Sequence, residues 1–203
     1  MALANYVDLQ ASIASWSHRT DLTTLLPDIV TLAEARISRD IRLRKQITTT
    51  TLTCVSGTQS VSLPTDWLEF ENISVSTSPS RQLVYVTVEQ LDATYSSSVT
   101  GTPSFYTIEG DTVLFGPIPD AAYSIAAVYY ARFASLITSS TNWLMTTHPN
   151  IYLHACLVEV FSYLRDKDQI AFWLSQYLAG VKALQDQDDE AMHSGSALRV
   201  KAI

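Results

Sequence analysis

The apolar residues of this chain change their spacing twice, and that double change restricts the fold more than any single motif does. Tyr6, Leu9, Ile13 and Trp16 recur at helical intervals, as do Ile29, Leu32, Ala33 and Ile37, with Arg36 on the same side. From Ile47 to about Ala131 the chemistry turns Thr-rich, β-branched and aromatic, punctuated by Gly, Pro and Ser, which is the pattern of strands and turns. Helical spacing returns from Ile151. Helices at both ends of a chain bury their stripes best against one another, so the expected class is α+β: a helical bundle of N- and C-terminal helices with an inserted antiparallel β module. The expected division is 1–46 for the N-terminal helices, 47–137 for the β module, 138–193 for the C-terminal helices and 194–203 for an extended docking tail.

Local signals place the elements. Asn5 is an N-cap for a helix over about 5–18, and Pro27 suits the first turn of a second helix running to about Leu43. Strands are expected at Thr48 to Val55, Ser60 to Leu63, Glu69 to Ser76, Arg81 to Val86, Ser104 to Glu109, Thr112 to Phe115 and Ala122 to Ala131. Gly110-Asp111 favours a tight hairpin between the fifth and sixth of these, and both faces of Tyr123 to Tyr130 are apolar enough for a central strand. A short helical turn is expected over Thr87 to Tyr95 and a loop over Ser96 to Gly101. Thr147-His148-Pro149 opens a helix whose apolar residues run almost all round it from Ile151 to Leu164, marking an element buried on most sides. The last helix, about Asp168 to Met192, carries the narrower stripe Ile170, Trp173, Leu174, Tyr177, Leu178, Val181 and Leu184.

A chain of 203 residues is long enough to bury roughly 70% of the surface its unfolded form exposes. Charged residues make up only 16%, below the usual quarter or so, which points to surface hidden in an assembly. A net charge of -7 argues against a general nucleic-acid binder, though not against an acidic wall past which DNA slides. No run of apolar residues is long enough to span a bilayer, and Met1 to Gln10 lacks a basic region followed by an apolar one, so neither a membrane span nor a signal peptide is expected. Cys54 and Cys156 are read as two reduced, buried thiols.

A search for catalytic chemistry returns little. Neither G-x-S-x-G nor G-x-x-x-x-G-K-[ST] occurs. His148, His154 and Cys156 are the nearest approach to a metal cluster, but positions 154 and 156 point about 200° apart on a helix and cannot share an ion, so no metal is expected. Asp66, Glu69 and Glu71 have the chemistry for acid/base work on sugars, yet beside Pro64 and Trp67 they read more simply as a solvated strand edge.

Two features point to partners instead. Arg36, Arg39, Arg42, Arg44 and Lys45 crowd the second helix and its exit. The bland reading is a solvated helix end whose cations suit the dipole; the sharper one, favoured by four Arg to one Lys, is pairing across a subunit or portal interface. The acidic run Asp186, Asp188, Asp189 and Glu190 is the best candidate partner within the sequence. Beyond a Gly/Ser hinge, Leu198, Val200 and Ile203 alternate with Arg199 and Lys201, a period of two that fits an arm docking on a neighbouring subunit or the portal, or one folded back on its own domain.

Six strings then carry a resemblance: Leu32-Ala-Glu-Ala-Arg-Ile-Ser-Arg-Asp-Ile-Arg42, Ser62-Leu-Pro-Thr-Asp-Trp-Leu-Glu69, Thr100-Gly-Thr-Pro-Ser-Phe-Tyr-Thr-Ile-Glu-Gly110, Leu114-Phe-Gly-Pro-Ile-Pro119, Tyr129-Tyr-Ala131 and Asn142-Trp-Leu-Met-Thr-Thr-His-Pro149. In this order and spacing, from about Tyr6 to Ala191, the chain resembles head-to-tail adaptor (connector) proteins of tailed, particularly short-tailed, bacteriophages. The resemblance implies a structural virion protein without cofactor or catalytic residues. It implies a homo-oligomeric ring, twelve subunits in the usual case, stacked beneath the portal protein in the neck of the virion and assembled in the host cytoplasm, with no membrane. Such a ring continues the DNA channel, passes packaged DNA without sequence-specific binding and gives tail or nozzle proteins a platform. Another class stays open at this point: a carbohydrate-binding or hydrolytic module of a phage tail, which a groove lined by Trp67, Phe70, Tyr85 and Tyr95 with nearby carboxylates would favour.

Overall fold

A computed structural model of the chain describes residues 3–95 and 99–193. In chain order the elements are α1 (Tyr6–Ser17), α2 (Leu26–Asp40), a 3₁₀ turn (Arg44–Gln46), β1 (Ile47–Cys54), β2 (Ser60–Ser62), β3 (Trp67–Val75), β4 (Arg81–Gln82) and β5 (Val84–Tyr85). There follow α3 (Val88–Thr94), β6 (Thr100–Gly101), β7 (Phe105–Glu109), β8 (Thr112–Gly116), β9 (Ile118–Pro119) and β10 (Tyr123–Ala131). The chain closes with α4 (Leu136–Ser139), α5 (Trp143–Thr147), α6 (Pro149–Leu164) and α7 (Lys167–His193). It is an α+β chain of two compact units, Met1–Arg44 with Phe133–Ile203, and Lys45–Arg132. The second unit ends at Arg132 rather than at residue 137, because Phe133 and Leu136 are buried in the core of the first.

The helical unit is organised by α6. Its all-round apolar character is explained by the burial of Ile151, Tyr152, Leu153, Ala155, Cys156, Leu157, Val158, Val160 and Phe161, with α1, α2 and α7 packed around it. Asn5 caps α1, its side-chain oxygen accepting from the Asp8 N–H at 3.0 Å, and Pro27 lies in the first turn of α2. Asn142 caps α5 in the same way, and its amide also donates to the Tyr152 hydroxyl at 2.6 Å, tying a surface loop to the core.

The helices differ from the sequence reading at the end of α2 and in their buried stripes. α2 stops at Asp40, not near Leu43, because Ile41 and Leu43 are both buried and residues two apart reach one side only in extended backbone. Arg42, Arg44 and Lys45 therefore lie beyond the helix. Leu32 and Leu178, placed on buried stripes, are 56% and 52% exposed, and Trp16 is half exposed. The buried stripe of α2 is instead Leu26, Ile29, Val30, Ala33 and Ile37.

The second unit holds two four-stranded sheets, ordered β1-β10-β3-β4 and β2-β8-β7-β5, and a small pair β6-β9. β10 is central, pairing antiparallel with both β1 and β3, and its Ile125 and Ala127 meet Leu52, Cys54, Ile73, Val75, Val113 and Phe115 in one core. β7 and β8 form the expected hairpin, with Gly110 in the left-handed region at φ 57° where an L side chain would be strained. The module is antiparallel except at two short parallel pairings, β5 with β7 and β6 with β9. The expected strand Arg81 to Val86 is broken at Leu83, whose side chain enters the core, so that Arg81–Gln82 pairs in one sheet and Val84–Tyr85 in the other. α3 begins with a full capping box, Thr87 and Gln90 bonding each other's backbone N–H. No helix among the described residues is long and apolar enough to cross a membrane.

Candidate functional site

The basic and acidic residues singled out in the sequence converge in part, and within one chain. The Arg44 backbone N–H donates to Asp188 Oδ2 and its Nε to Asp188 Oδ1, both at 3.0 Å, which ties the exit of α2 to the acidic end of α7. Arg36 turns the other way: its Nε and Nη2 both donate to Glu159 Oε1, at 2.9 and 2.7 Å, on the central helix α6. Arg42 Nη1 donates to the Ser38 carbonyl at 2.6 Å and to the Ile41 carbonyl at 2.8 Å, closing the C-terminus of α2. Arg39 and Lys45 are exposed, as are Asp186, Asp189 and Glu190 on α7. Leu198, Arg199, Val200, Lys201 and Ile203 lie outside the described residues.

Residues that composition gave no reason to select finish this end of the helical unit. Asp40 Oδ2 accepts from the buried Tyr177 hydroxyl at 2.7 Å, and the Asp40 carbonyl accepts from the Gln185 amide at 3.0 Å. Burial, then the bond to Asp40, pushes the Tyr177 phenol well above its ordinary range, so it acts as a donor and not as a base. Glu34 Oε1 accepts from the Leu136 N–H at 2.7 Å and holds the start of α4. These are positioning contacts, and the arrangement joins α2, α4, α6 and α7 into one frame that displays Arg39.

The β module brings together most, but not all, of the aromatic residues considered for a sugar groove. Trp67 meets Phe70 at 5.4 Å between ring centroids, Phe70 meets Tyr106 at 5.8 Å, and Tyr106 meets Tyr85 at 5.6 Å. Tyr95 stacks on Phe105 instead, and adjacent positions of β7 place Phe105 and Tyr106 on opposite faces. A cavity of about 280 Å³ lies beside Tyr95, lined by Val86, Gln90, Leu91, Thr94 and Phe105. Register shifts between β10 and β3 skip Glu71 and Leu68, and the second is why Trp67 and Phe70 share a face although three positions apart. Of the three carboxylates, Asp66 is used structurally, Oδ1 accepting from Tyr129 and its carbonyl from the Arg132 N–H. Burial, with that hydrogen bond second, raises the Tyr129 phenol to about 12.

Both cysteines are free and buried, and burial raises the Cys54 thiol to about 11 and pushes Cys156 higher still, which removes the thiolate that reactivity or metal binding requires. His154 is stacked on Trp173 at 5.6 Å. Among the described residues no three His, Cys, Asp or Glu side chains converge on a possible ion. The geometry is thus that of scaffolding contacts and display surfaces.

A family model described as SU10 adaptor protein matches residues 4–201, nearly the whole chain. No curated protein matches it.

Proposed function

The chain belongs to the SU10 adaptor protein family, the phage adaptors, and from that premise we propose that it acts as a homo-oligomeric ring, of twelve subunits, between portal and tail in the virion neck. The role of the family is structural, and the single observation carrying the finer reading is the match over residues 4–201, nearly the whole chain. In the proposed ring, packaged DNA passes along a channel without sequence-specific contacts, the portal protein is met on one side and tail or nozzle proteins on the other. Assembly takes place in the host cytoplasm. The subunits are related by rotation, so each interface joins two different surfaces of the chain.

Within that reading the structure separates the candidate interface cations by availability. Arg36 and Arg44 are engaged with Glu159 and Asp188 of their own chain, whereas Arg39 is exposed beside them. Asp186, Asp189 and Glu190, exposed on α7, supply the complementary charge on a neighbouring subunit, or the portal supplies it. The segment 194–203 serves as the arm that docks on a neighbour or on the portal. Electron microscopy of the purified chain mixed with its portal protein tests the ring directly, and Arg39→Ala tests the charge pairing. The expected result is rings that weaken with rising salt and are lost in the variant while the subunit stays folded, since an exposed charge adds little to folding. Rings indifferent to both salt and Arg39 would remove the charge pairing, and the absence of any ring on the portal would remove the function itself.

A further inference from the structure

The two large sheets treat their edges differently. β4, β2 and β5, each at a sheet edge, are two, three and two residues long, which is one of the ordinary ways of keeping an edge from pairing with another chain. β1 is the exception. It runs for eight residues in unbroken register with β10, from Ile47 opposite Tyr130 to Cys54 opposite Tyr123, and among the described residues no strand lies beyond it. It carries none of the usual guards: no proline, no lysine and no bulge. From Gln46 to Thr65 the chain has no charged residue at all. Among the described residues, no hydrogen bond outside the β10 ladder reaches the backbone of 47–54. Thr49, Thr51 and Thr53 are exposed on one face, and Val55, just past the strand, is 59% exposed.

We infer that β1 is a self-pairing edge, and that its occupant in the free protein is β1 of a second copy, antiparallel across a two-fold axis at Thr51. Only the residue on the axis meets its own copy, so a charge there would face its like; Thr51 is uncharged, and no other position of β1 carries a charge that would need an opposite charge across the join. The register with Thr51 opposite itself sets Thr49 against Thr53 of the other copy, and Ile47 against the exposed Val55. Cross-strand threonine pairs are favourable in antiparallel sheets, and the β-branched pair at each end covers apolar area now open to water. On the opposite face Thr50 meets Leu52, so the row leading into the core runs on across the join. Two four-stranded sheets become one of eight.

A strand pairing of this length buries less than the roughly 800 Å² per partner of a standard stable interface, so the dimer is weak and set by concentration. A two-fold contact cannot close a polar ring, and the pairing is therefore a state of the free chain that assembly must dissolve. It stands independently of the ring proposed above.

Sedimentation velocity on the full chain across a range of concentrations reads the pairing, with far-UV circular dichroism to confirm folding. The wild type is expected to move reversibly between monomer and dimer. Thr51→Lys sets two ammonium groups opposite each other on the axis and should weaken the dimer about tenfold or more. The register is tested by two double variants on the solvent face: Thr49→Lys with Thr53→Lys should dissociate the dimer, while Thr49→Lys with Thr53→Glu should keep it by pairing opposite charges. A wild type that stays monomeric at every concentration, a larger oligomer indifferent to these changes, or double variants that behave alike would each overturn the inference.

Discussion

His154 shows how one half-buried side chain ties the helical core to pH. It lies on α6 with its ring against Trp173, and its Nδ1 is buried with no partner among the described residues. Burial lowers its pKa from the usual 6.5, opposed by a hydrogen bond with the backbone of Gln176, so the folded protein favours the neutral imidazole. In the unfolded chain the ring titrates near that ordinary value. As pH falls through it, the unfolded state takes up a proton that the folded state resists, and stability present above 6.5 is progressively lost below it. Urea midpoints should drop on acidification from about pH 7 to about pH 5, and His154→Gln should flatten that drop; equal slopes in both proteins would acquit this residue. At this scale the sequence was a partial guide. It identifies the cluster of arginines and the acidic run that holds Asp188, but not that Arg44 and Asp188 pair within one chain, and nothing local marks Glu159, more than a hundred positions from Arg36, as a partner.

Elements whose periodicity was strong were legible, and their ends and irregularities were not. The apolar girdle of α6 could only suit a central helix, and the Gly110-Asp111 dipeptide could only suit a hairpin. The early stop of α2 was hidden because Ile41, four positions after Ile37, continues the helical stripe, and Leu43 speaks against it only once both are seen buried. The bulge that sets Trp67 and Phe70 on one face of the groove was hidden because a bulge leaves no signature in hydrophobic alternation. Packing of α3 on β8 is a third case, and it makes a prediction. An ideal Cβ on Gly116 would lie 2.5 Å from Leu91 Cδ1 and 2.9 Å from Tyr95 Cδ2, so the side chains of both must shift, and both line the cavity beside α3. Gly116→Ala should therefore cost about 1–3 kcal/mol by forcing α3 away from the sheet, seen as a lower urea midpoint. A midpoint unchanged within error would mean that α3 rides loosely on β8.

Over the whole molecule, the division into two units follows from where the chain enters and leaves the β module. Ile47 and Tyr130 face each other across one ladder, and the Gln46 amide donates to the Ala131 carbonyl, so the two ends of the insert lie side by side. An insert with adjacent ends interrupts its host without stretching it, which is the usual condition for one domain to sit within another. Among the described residues the apolar cores respect the same boundary: one cluster draws only on residues 52–127, and the other only on α1, α2, the segments beside them and residues between Phe133 and Leu184. No core side chain has to be borrowed. The segment 45–132 expressed alone should then fold and unfold cooperatively in urea, and the chain with Arg44 joined to Phe133 through a short Gly/Ser linker should keep its helical content. If both pieces were unfolded, the cores would depend on contacts across the boundary. If both fold, each can be offered separately to portal and tail proteins, and the piece that binds the portal identifies which unit carries that side of the adaptor.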